Sequence, residues 1–186
     1  MEGVRLGRAP SLLPRLRPAR YSTDPHRRRG EARGADEHGG MGLFDNEITR
    51  LGGVATTAEL YRHGDTQSML YWSERYGSII RVRAGIYCLP SLDGEAIRAL
   101  RVGGRLGCVS ALAYYGVAPP PEKLHVAVAA NTPRLRDPDT GKPGRSPDTT
   151  VIHWSRRALG GDRIAVSVAA AHRQAASCRG LSRDTL

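Results

Sequence analysis

The sequence predicts a mixed α+β fold, and three observations support this prediction. Residues 43–77 hold three short helical patterns, each followed by a glycine. The strand-turn-strand pattern IIRVRAGIYCLP follows directly at residues 79–90. The second half combines apolar strand patterns, such as LHVAV, with an alanine-rich helical segment. Together they predict a winged helix-turn-helix followed by a small mixed α+β domain.

The first helical unit has recognisable start signals. Its first helix, LFDNEITRLGG, places apolar residues at helical spacing and ends in two glycines. Thr56 and Glu59 stand three positions apart, the spacing of a capping box that begins the second helix. Asp65 or Thr66 caps the third helix. The second and third helices are thus joined by a short turn, as a helix-turn-helix requires.

The third helix is expected to enter the major groove of DNA with its N-terminal turn leading. Gln can bond an adenine edge, Ser and Thr can reach bases or phosphates, and Arg can hold a phosphate. Leu70 should face the core. Trp72 and Tyr76 are ambiguous between the core and the surface, and core filler is the preferred interpretation for Trp72. The outward DNA-binding candidates on this helix are Thr66, Gln67, Ser68, Tyr71 and Arg75.

The hairpin that follows is expected to turn at Gly85, which tolerates positive φ. Strand alternation places Ile80 and Val82 on one face and Arg81 and Arg83 on the other. A hairpin directly after the third helix is interpreted as the wing, with Arg81 and Arg83 beside phosphates or the minor groove. The alternative is a plain hairpin that completes a small core with Ile79, Val82, Ile86 and Leu89.

Charge favours an anionic partner but limits the argument. The 186 residues include 28 basic and 18 acidic residues, a formal net charge of +10. Residues 1–40 hold nine arginines and five acidic residues, whereas residues 41–90 hold five of each. DNA contact by the middle segment must therefore depend on the placement of single arginines rather than on bulk charge.

The sequence predicts that the chain is divided into four segments. Residues 1–40, rich in Arg, Gly and Pro, are predicted to be a disordered basic extension that either binds phosphates or has no function, with Met41 as the natural start. Residues 41–92 form the winged helix-turn-helix, and residues 95–178 form the α+β domain. Residues 179–186 are expected to be an unstructured tail, such as a truncated or shifted reading frame would produce.

Within the second half, SALAYY predicts a helix, KLHVAVAAN and VIHWS predict strands, and RIAVSVAAAHRQAASC predicts a strand leading into a helix. Residues 132–150 are rich in Pro, Gly and charge and predict a long exposed loop. The basic side chains of this loop are either solvated or contact nucleic acid: Arg134, Arg136, Lys142 and Arg145.

The stretches GGVATTAELYRHG and RVRAGIYCLP resemble the N-terminal domain of AbiEi-type antitoxins of type IV toxin–antitoxin systems. The resemblance implies a winged helix-turn-helix that binds promoter DNA, represses its own operon and counters a cognate nucleotidyltransferase-like toxin. The chain departs from the family at Ser73 and Glu74, where apolar residues are usual, so Met69, Trp72 or Tyr76 would replace that packing. The matching positions are Thr57, Leu60, Gly64, Thr66, Leu70, Arg81, Val82, Gly85, Tyr87, Leu89 and Pro90.

The order SALAYYGV, LHVAV and VIHWS also resembles the second domain of actinobacterial antitoxin-like proteins. Many such proteins continue into a Vsr-like endonuclease domain, before which this chain stops. Two alternatives to a DNA-binding antitoxin therefore remain open. The chain is either the DNA-targeting part of such a nuclease or a toxin-binding module that does not bind DNA.

Polar residues that could support catalysis lack the surrounding motifs. His125 and His153 each lie in a predicted strand, but no cysteine or carboxylate stands at ligand spacing. Ser110 lacks the GxSxG setting of a hydrolase nucleophile, and VGGRLG lacks the end of a phosphate-binding loop. We therefore expect no catalytic residue, no metal site and no cofactor.

Cysteine usage and hydropathy suggest a compartment. Cys88, Cys108 and Cys178 are odd in number, far apart and form no CxxC pair, which is typical of reduced thiols in the cytoplasm. No apolar run approaches the roughly 20 residues needed to span a bilayer. We therefore expect a cytoplasmic protein whose partner is double-stranded operator DNA and not a membrane.

Overall fold

The computed structural model describes residues 41–62, 64, 66–144 and 148–178. These residues form six helices and two three-stranded sheets, which confirms the predicted mixed α+β class. No helix in these ranges has the length and apolar character needed to cross a lipid bilayer. The predictions for residues 1–40 and 179–186 lie outside the described residues.

Helices and strands are interspersed along the described chain. The first sheet is antiparallel with the strand order β1-β3-β2, and the second has the order β4-β5-β6. In the second sheet β4 pairs antiparallel with β5, whereas β5 and β6 are parallel. The elements are α1 (Met41–Arg50), β1 (Val54–Thr56), α2 (Thr57–Arg62), α3 (Gln67–Arg75), β2 (Ile80–Arg83), β3 (Ile86–Cys88), α4 (Gly94–Val102), β4 (Arg105–Leu106), α5 (Cys108–Tyr114), β5 (Leu124–Ala129), β6 (Thr150–Ser155) and α6 (Val168–Ala176).

The predicted helix starts are confirmed by their hydrogen bonds. The Thr56 N–H donates to Glu59 Oε2 at 2.8 Å, and the Glu59 N–H donates to Thr56 Oγ1 at 3.2 Å, which completes the capping box. At the start of α3 the Met69 N–H donates to Thr66 Oγ1 at 3.2 Å. The alternative cap, Asp65, lies outside the described residues. Each cap satisfies a backbone donor that the helix itself leaves unpaired.

The strand β1 was not predicted. It pairs antiparallel with β3, so that Val54 lies opposite Cys88 and Thr56 lies opposite Ile86. With three residues it is too short to show an alternating pattern, and it forms because β3 offers a free edge. The hairpin therefore belongs to a three-stranded sheet rather than standing alone.

Two groups of buried apolar residues stabilise the fold. The N-terminal cluster lies among α1, α2, α3 and the first sheet. The C-terminal cluster is formed by residues of the second sheet and of α4, α5 and α6. It also includes Val54, Val82 and Cys88 from the first sheet. The predicted division near residues 92–95 therefore falls inside one compact unit. The buried members of the N-terminal cluster are Phe44, Ile48, Ala55, Leu60, Leu70, Ile79 and Tyr87.

The packing of α3 differs in part from the prediction. Leu70 is buried as expected, and Met69 packs against the N-terminal cluster. Ser73 is buried as well, and its carbonyl accepts a hydrogen bond from the Ser78 N–H at 3.0 Å where the helix ends. The expectation that Trp72 fills the core is wrong, because its side chain is exposed.

The second half follows the predicted order of elements. The helix α5, the strands β5 and β6 and the helix α6 all occur where they were expected. The loop at residues 130–149 has neither helix nor strand among its described residues. Residues 163–166, expected to form a strand, make only isolated bridges to Leu106 and Gly161. The short strand β4 was not predicted.

An ion pair connects the two halves. Arg163 donates to both carboxylate oxygens of Glu59, at 2.8 and 2.6 Å. These hydrogen bonds and that of the Thr56 N–H lower the pKa of Glu59 from 4.5 to about 2. The folded protein therefore binds fewer protons at this group than the unfolded chain. The resulting stability is fully present above about pH 4.5 and is lost as the pH falls toward 2.

We expect Glu59→Ala to lower the free energy of unfolding at pH 7 by about 1–2 kcal/mol, because it removes both the cap and the ion pair. Urea denaturation at pH 7 and at pH 3 measures the effect, which should be smaller at pH 3. Glu122→Ala, which removes an exposed carboxylate, is the matched control. Equal losses of unfolding free energy at pH 7 and pH 3 would contradict the pKa assigned to Glu59.

Candidate functional site

The outer surface of α3 carries the residues predicted to contact DNA. Thr66, Gln67 and Ser68 are exposed at its N-terminal end, and Arg75 is exposed in its last turn. Tyr71 is 58% exposed. The Thr66 oxygen accepts the cap hydrogen bond from the Met69 N–H. All five side chains are therefore accessible to a partner.

An aromatic patch formed by Tyr71, Trp72 and Tyr76 covers part of the same helix. Trp72 is 49% exposed and Tyr76 is 61% exposed. The Trp72 ring lies edge-on to Tyr71 at a centroid distance of 5.2 Å and stacks on Tyr76 at 5.6 Å. The sequence interpretation missed this patch because it assigned Trp72 to the core. The surface of α3 is therefore both polar and aromatic.

The two hairpin arginines point to different surroundings. Arg81 is exposed, whereas Arg83 is half-buried with its guanidinium against Gly103. Burial lowers the pKa of Arg83, and the nearby charge of Arg136 lowers it further. A shift in strand register falls between Arg81 and Arg83, and such a bulge redirects the side chains beyond it. Of the two, Arg81 is the one presented to solvent.

A basic groove of about 870 Å³ opens at the carboxyl ends of β5 and β6. An adjoining depression of about 440 Å³ is bordered by Arg83 and shares Arg163 with the groove. The sequence did not predict the groove, because its arginines come from separate segments that only the fold brings together. The arginines that line the basic groove are Arg105, Arg156, Arg157 and Arg163.

The predicted basic loop contributes less than its composition suggests. Arg134 and Lys142 are exposed. Arg136 is half-buried and donates to the Gly141 carbonyl at 2.8 Å, so it holds the loop together. Arg145 lies outside the described residues. Two of the four basic side chains are therefore available on the described surface.

His125 and His153 lie on the neighbouring parallel strands β5 and β6. Their Nδ1 and Nε2 atoms are 3.1 Å apart, and the rings are stacked. The Cys178 sulfur lies 3.8 Å from each of these nitrogens. With the Cys108 sulfur these atoms form the His–Cys cluster, in which all four lie within 4.8 Å of one another.

The cluster is largely buried, which sets its protonation states. Burial lowers the pKa of His125 to about 4, with a further contribution from His153. Burial also lowers the pKa of His153 and raises that of the Cys108 thiol to about 12. Both imidazoles are therefore neutral at pH 7, the form in which histidine donates a lone pair.

The expectation that no cysteine lies at ligand distance from His125 and His153 is wrong, because the sulfurs of Cys108 and Cys178 lie beside them. Cys108 begins α5, which packs on β5, and Cys178 follows α6, which packs on α5. All three cysteines are free, as expected. No short motif could indicate this convergence, because the four residues come from four separate elements.

Comparisons with protein-family models and with curated proteins find no match for this chain. The resemblance to AbiEi-type antitoxins stays a prediction. Functional assignment therefore depends on the exposed residues of α3 and the hairpin, on the basic groove and on the His–Cys cluster.

Proposed function

We propose that this protein is a DNA-binding transcriptional regulator of the antitoxin type that represses its own operon. The observation that carries the proposal is the arrangement of α3 and the hairpin directly after it. The order α1-β1-α2-α3-β2-β3, with the sheet order β1-β3-β2, supports a winged helix-turn-helix. This arrangement leaves both the polar end of α3 and the hairpin residue Arg81 accessible.

In this proposal the N-terminal turn of α3 enters the major groove. Gln67 and Ser68 contact base edges there, while Thr66 and Arg75 contact phosphates. Arg81 contacts phosphates or the minor groove from the hairpin. Tyr71 lies on the same helix and supplies a stacking and hydrogen-bonding surface.

Charge beyond this helix also supports an anionic partner. Residues 41–90 are neutral in formal charge, so DNA affinity from this segment must come from individually placed arginines. The basic groove adds Arg105, Arg156 and Arg157 from the second half, whereas the charge of Arg163 is balanced by Glu59. Arg83, half-buried beside Gly103, is expected to contribute less than Arg81 because solvent and phosphates reach it less easily.

We expect the double substitution Arg75→Ala with Arg81→Ala to weaken binding to the upstream DNA of its own gene by about tenfold or more, and to lower the salt slope by about two. Fluorescence anisotropy at several salt concentrations measures both quantities. Arg173→Ala, which removes an exposed arginine on α6, is the matched control and should bind like wild type. Wild-type affinity of the double variant would refute the proposal.

Arg83→Ala tests the assignment within the hairpin. Its effect on DNA affinity should be smaller than that of Arg81→Ala, because the structure turns Arg83 toward Gly103. If the order of the two effects is reversed, the hairpin contacts DNA through its inner face and the assignment of Arg81 is wrong.

A second candidate function is a toxin-binding module without DNA contact, which the aromatic patch favours. Exposed, mutually packed aromatic side chains are typical of protein interfaces. In that case the wild-type protein does not retard its upstream DNA in a gel-shift experiment. Trp72→Ala then abolishes protection in cells that express the adjacent toxin gene, whereas Arg75→Ala with Arg81→Ala retains it.

A further inference from the structure

The His–Cys cluster is the most concentrated group of metal-binding side chains in the described part of the chain. Cys108 is the first residue of α5, His125 lies in β5 and His153 lies in β6. Cys178 is the second residue after the end of α6. We propose that these four side chains bind one zinc ion as a structural site of the second half.

The distances among His125, His153 and Cys178 fit a tetrahedral zinc ion, and the Cys108 sulfur lies within 4.8 Å of all three ligand atoms. With Zn–N bonds of about 2.05 Å and Zn–S bonds of about 2.3 Å, tetrahedral geometry requires separations of about 3.3 Å between nitrogens, 3.6 Å between nitrogen and sulfur, and 3.8 Å between sulfurs. The nitrogens of His125 and His153 are 3.1 Å apart. The Cys178 sulfur lies 3.8 Å from both nitrogens.

The donor set indicates both the metal and its role. Two thiolates and two neutral imidazoles are a standard zinc set, whereas Mg²⁺ and Ca²⁺ prefer oxygen donors. Four protein ligands fill a tetrahedron and leave no position for water or substrate. The site is therefore structural and not catalytic.

The surrounding backbone holds the ligands in place. Cys108 has φ of +50°, a left-handed conformation that is uncommon outside glycine. Its N–H donates to Gln174 Oε1 of α6 at 2.9 Å. The His125 N–H donates to the Ser110 hydroxyl of α5 at 2.9 Å. The elements that supply the ligands thus also fix one another's orientation, as supporting residues do around metal sites.

A bound zinc ion would tie α5 and α6 to the parallel strands. In the described part of the chain the second sheet has three strands, and β4 has two residues. A sheet of this size gains stability from a cross-link between its strands and the helices that cover it. Metal binding therefore adds a link between the six-residue ladder of β5 and β6 and the helical segments that supply the two cysteines.

Two other chemistries could occupy the same positions. Without metal, one neutral histidine donates to the other and the Cys108 thiol stays protonated. Under oxidising conditions Cys108 and Cys178 could instead form a disulfide, with two thiols losing two electrons and two protons to an added oxidant. The test must separate both states from metal binding.

We expect full-length protein purified under reducing conditions to bind one Zn²⁺ per chain when titrated with Zn²⁺ alone in competition with a chromophoric chelator. Cys178→Ser and His153→Ala should each weaken this binding by at least about tenfold, since even supporting residues contribute that much. Cys88→Ala, which removes a buried cysteine outside the cluster, is the matched control and should keep wild-type affinity. Co²⁺ in place of Zn²⁺ should give the intense visible bands of a tetrahedral thiolate site.

Thermal unfolding provides a second readout that does not depend on any variant folding. Saturating Zn²⁺ should raise Tm of the reduced wild-type protein by about 5–10 °C, and chelation should reverse the shift. Absence of both the stoichiometric binding and the Tm shift in reduced wild-type protein overturns the proposal. Equal Zn²⁺ affinity in wild type, Cys178→Ser and His153→Ala also overturns the proposal. A Cys108–Cys178 disulfide in anaerobically purified protein overturns it as well, if the protein binds no zinc after the disulfide is reduced.

Discussion

Phe44→Ala is expected to lower the free energy of unfolding by about 3–5 kcal/mol. Phe44 is fully buried and is the largest side chain that α1 contributes to the N-terminal cluster. Among the residues whose burial the structure describes, this cluster has seven buried members, so we expect that neighbouring side chains cannot fill the cavity without moving a helix. The loss is a large part of the 5–15 kcal/mol that typically stabilises a domain.

The effect of Phe44→Ala should be local as well as large. Amides of α1 and α3 should exchange hydrogen much faster, whereas those of β5 in the C-terminal cluster should stay protected. Binding to DNA should fall in parallel, because α3 is positioned by the same cluster. Hydrogen exchange with mass spectrometry measures the first effect and anisotropy the second.

Tyr71→Ala is the matched control for Phe44→Ala. It removes an aromatic side chain from the same half of the molecule, but one that is 58% exposed. Its free energy of unfolding should stay within about 0.5 kcal/mol of wild type. A stability loss at Tyr71 as large as that at Phe44 would mean that the burial assigned to these two residues is wrong.

Gly161→Ala is expected to lower the free energy of unfolding by about 3 kcal/mol, the sum of backbone strain and overpacking. Gly161 has φ of +92°, which side-chain-bearing residues rarely adopt. A Cβ atom there would collide with the carbonyl oxygen of Ala165 and lie 2.5 Å from the Ser167 nitrogen. Because these are backbone atoms of a tight turn, no side-chain rotation relieves the collision.

Gly116→Ala separates the cost of backbone strain from the cost of overpacking. Gly116 also has positive φ, +71°, but an added Cβ would meet nothing within 4 Å. It should therefore show only the conformational cost, about 1 kcal/mol. Urea denaturation of both variants measures the difference. If the two variants lose equal stability, the close approach of the backbone at Gly161 is not what requires glycine there.

The Gly161 turn also bears on the contact between the two halves. The Asp162 carboxylate accepts hydrogen bonds from the Ile164 and Ala165 N–H groups at 2.8 and 2.7 Å. These bonds shape the turn that carries Arg163, the partner of Glu59. Part of the loss in Gly161→Ala should therefore be absent when Glu59 is already replaced by alanine, which a double-mutant cycle measures.

Local features of the first unit could be predicted from the sequence because their causes lie within a few residues. The Thr56–Glu59 capping box and the Thr66 cap each need only a hydroxyl or carboxylate three positions from a backbone N–H. The turn at Gly85 needs only a residue that tolerates positive φ. Leu70 was correctly assigned to the core because it follows the helical period.

The candidate DNA-binding residues were identified by the same local reasoning, and the structure leaves most of them exposed. Their contact with DNA stays a prediction. Trp72 was misassigned because an aromatic residue near the helical period usually packs inward, whereas the buried position at this end of α3 belongs to Ser73. Residue type alone could not decide which of the two neighbours points to the core.

The sequence by itself therefore determined the class of fold, the order of most helices and strands, and the helix and turn signals of the first unit. Only the tertiary structure decided which side chains meet across large separations along the chain. It placed β1 against β3, turned Arg83 toward Gly103, and brought Cys108 and Cys178 to His125 and His153. The physical reason is that such contacts depend on how strands pair and how helices pack on them, which no short spacing in the sequence records.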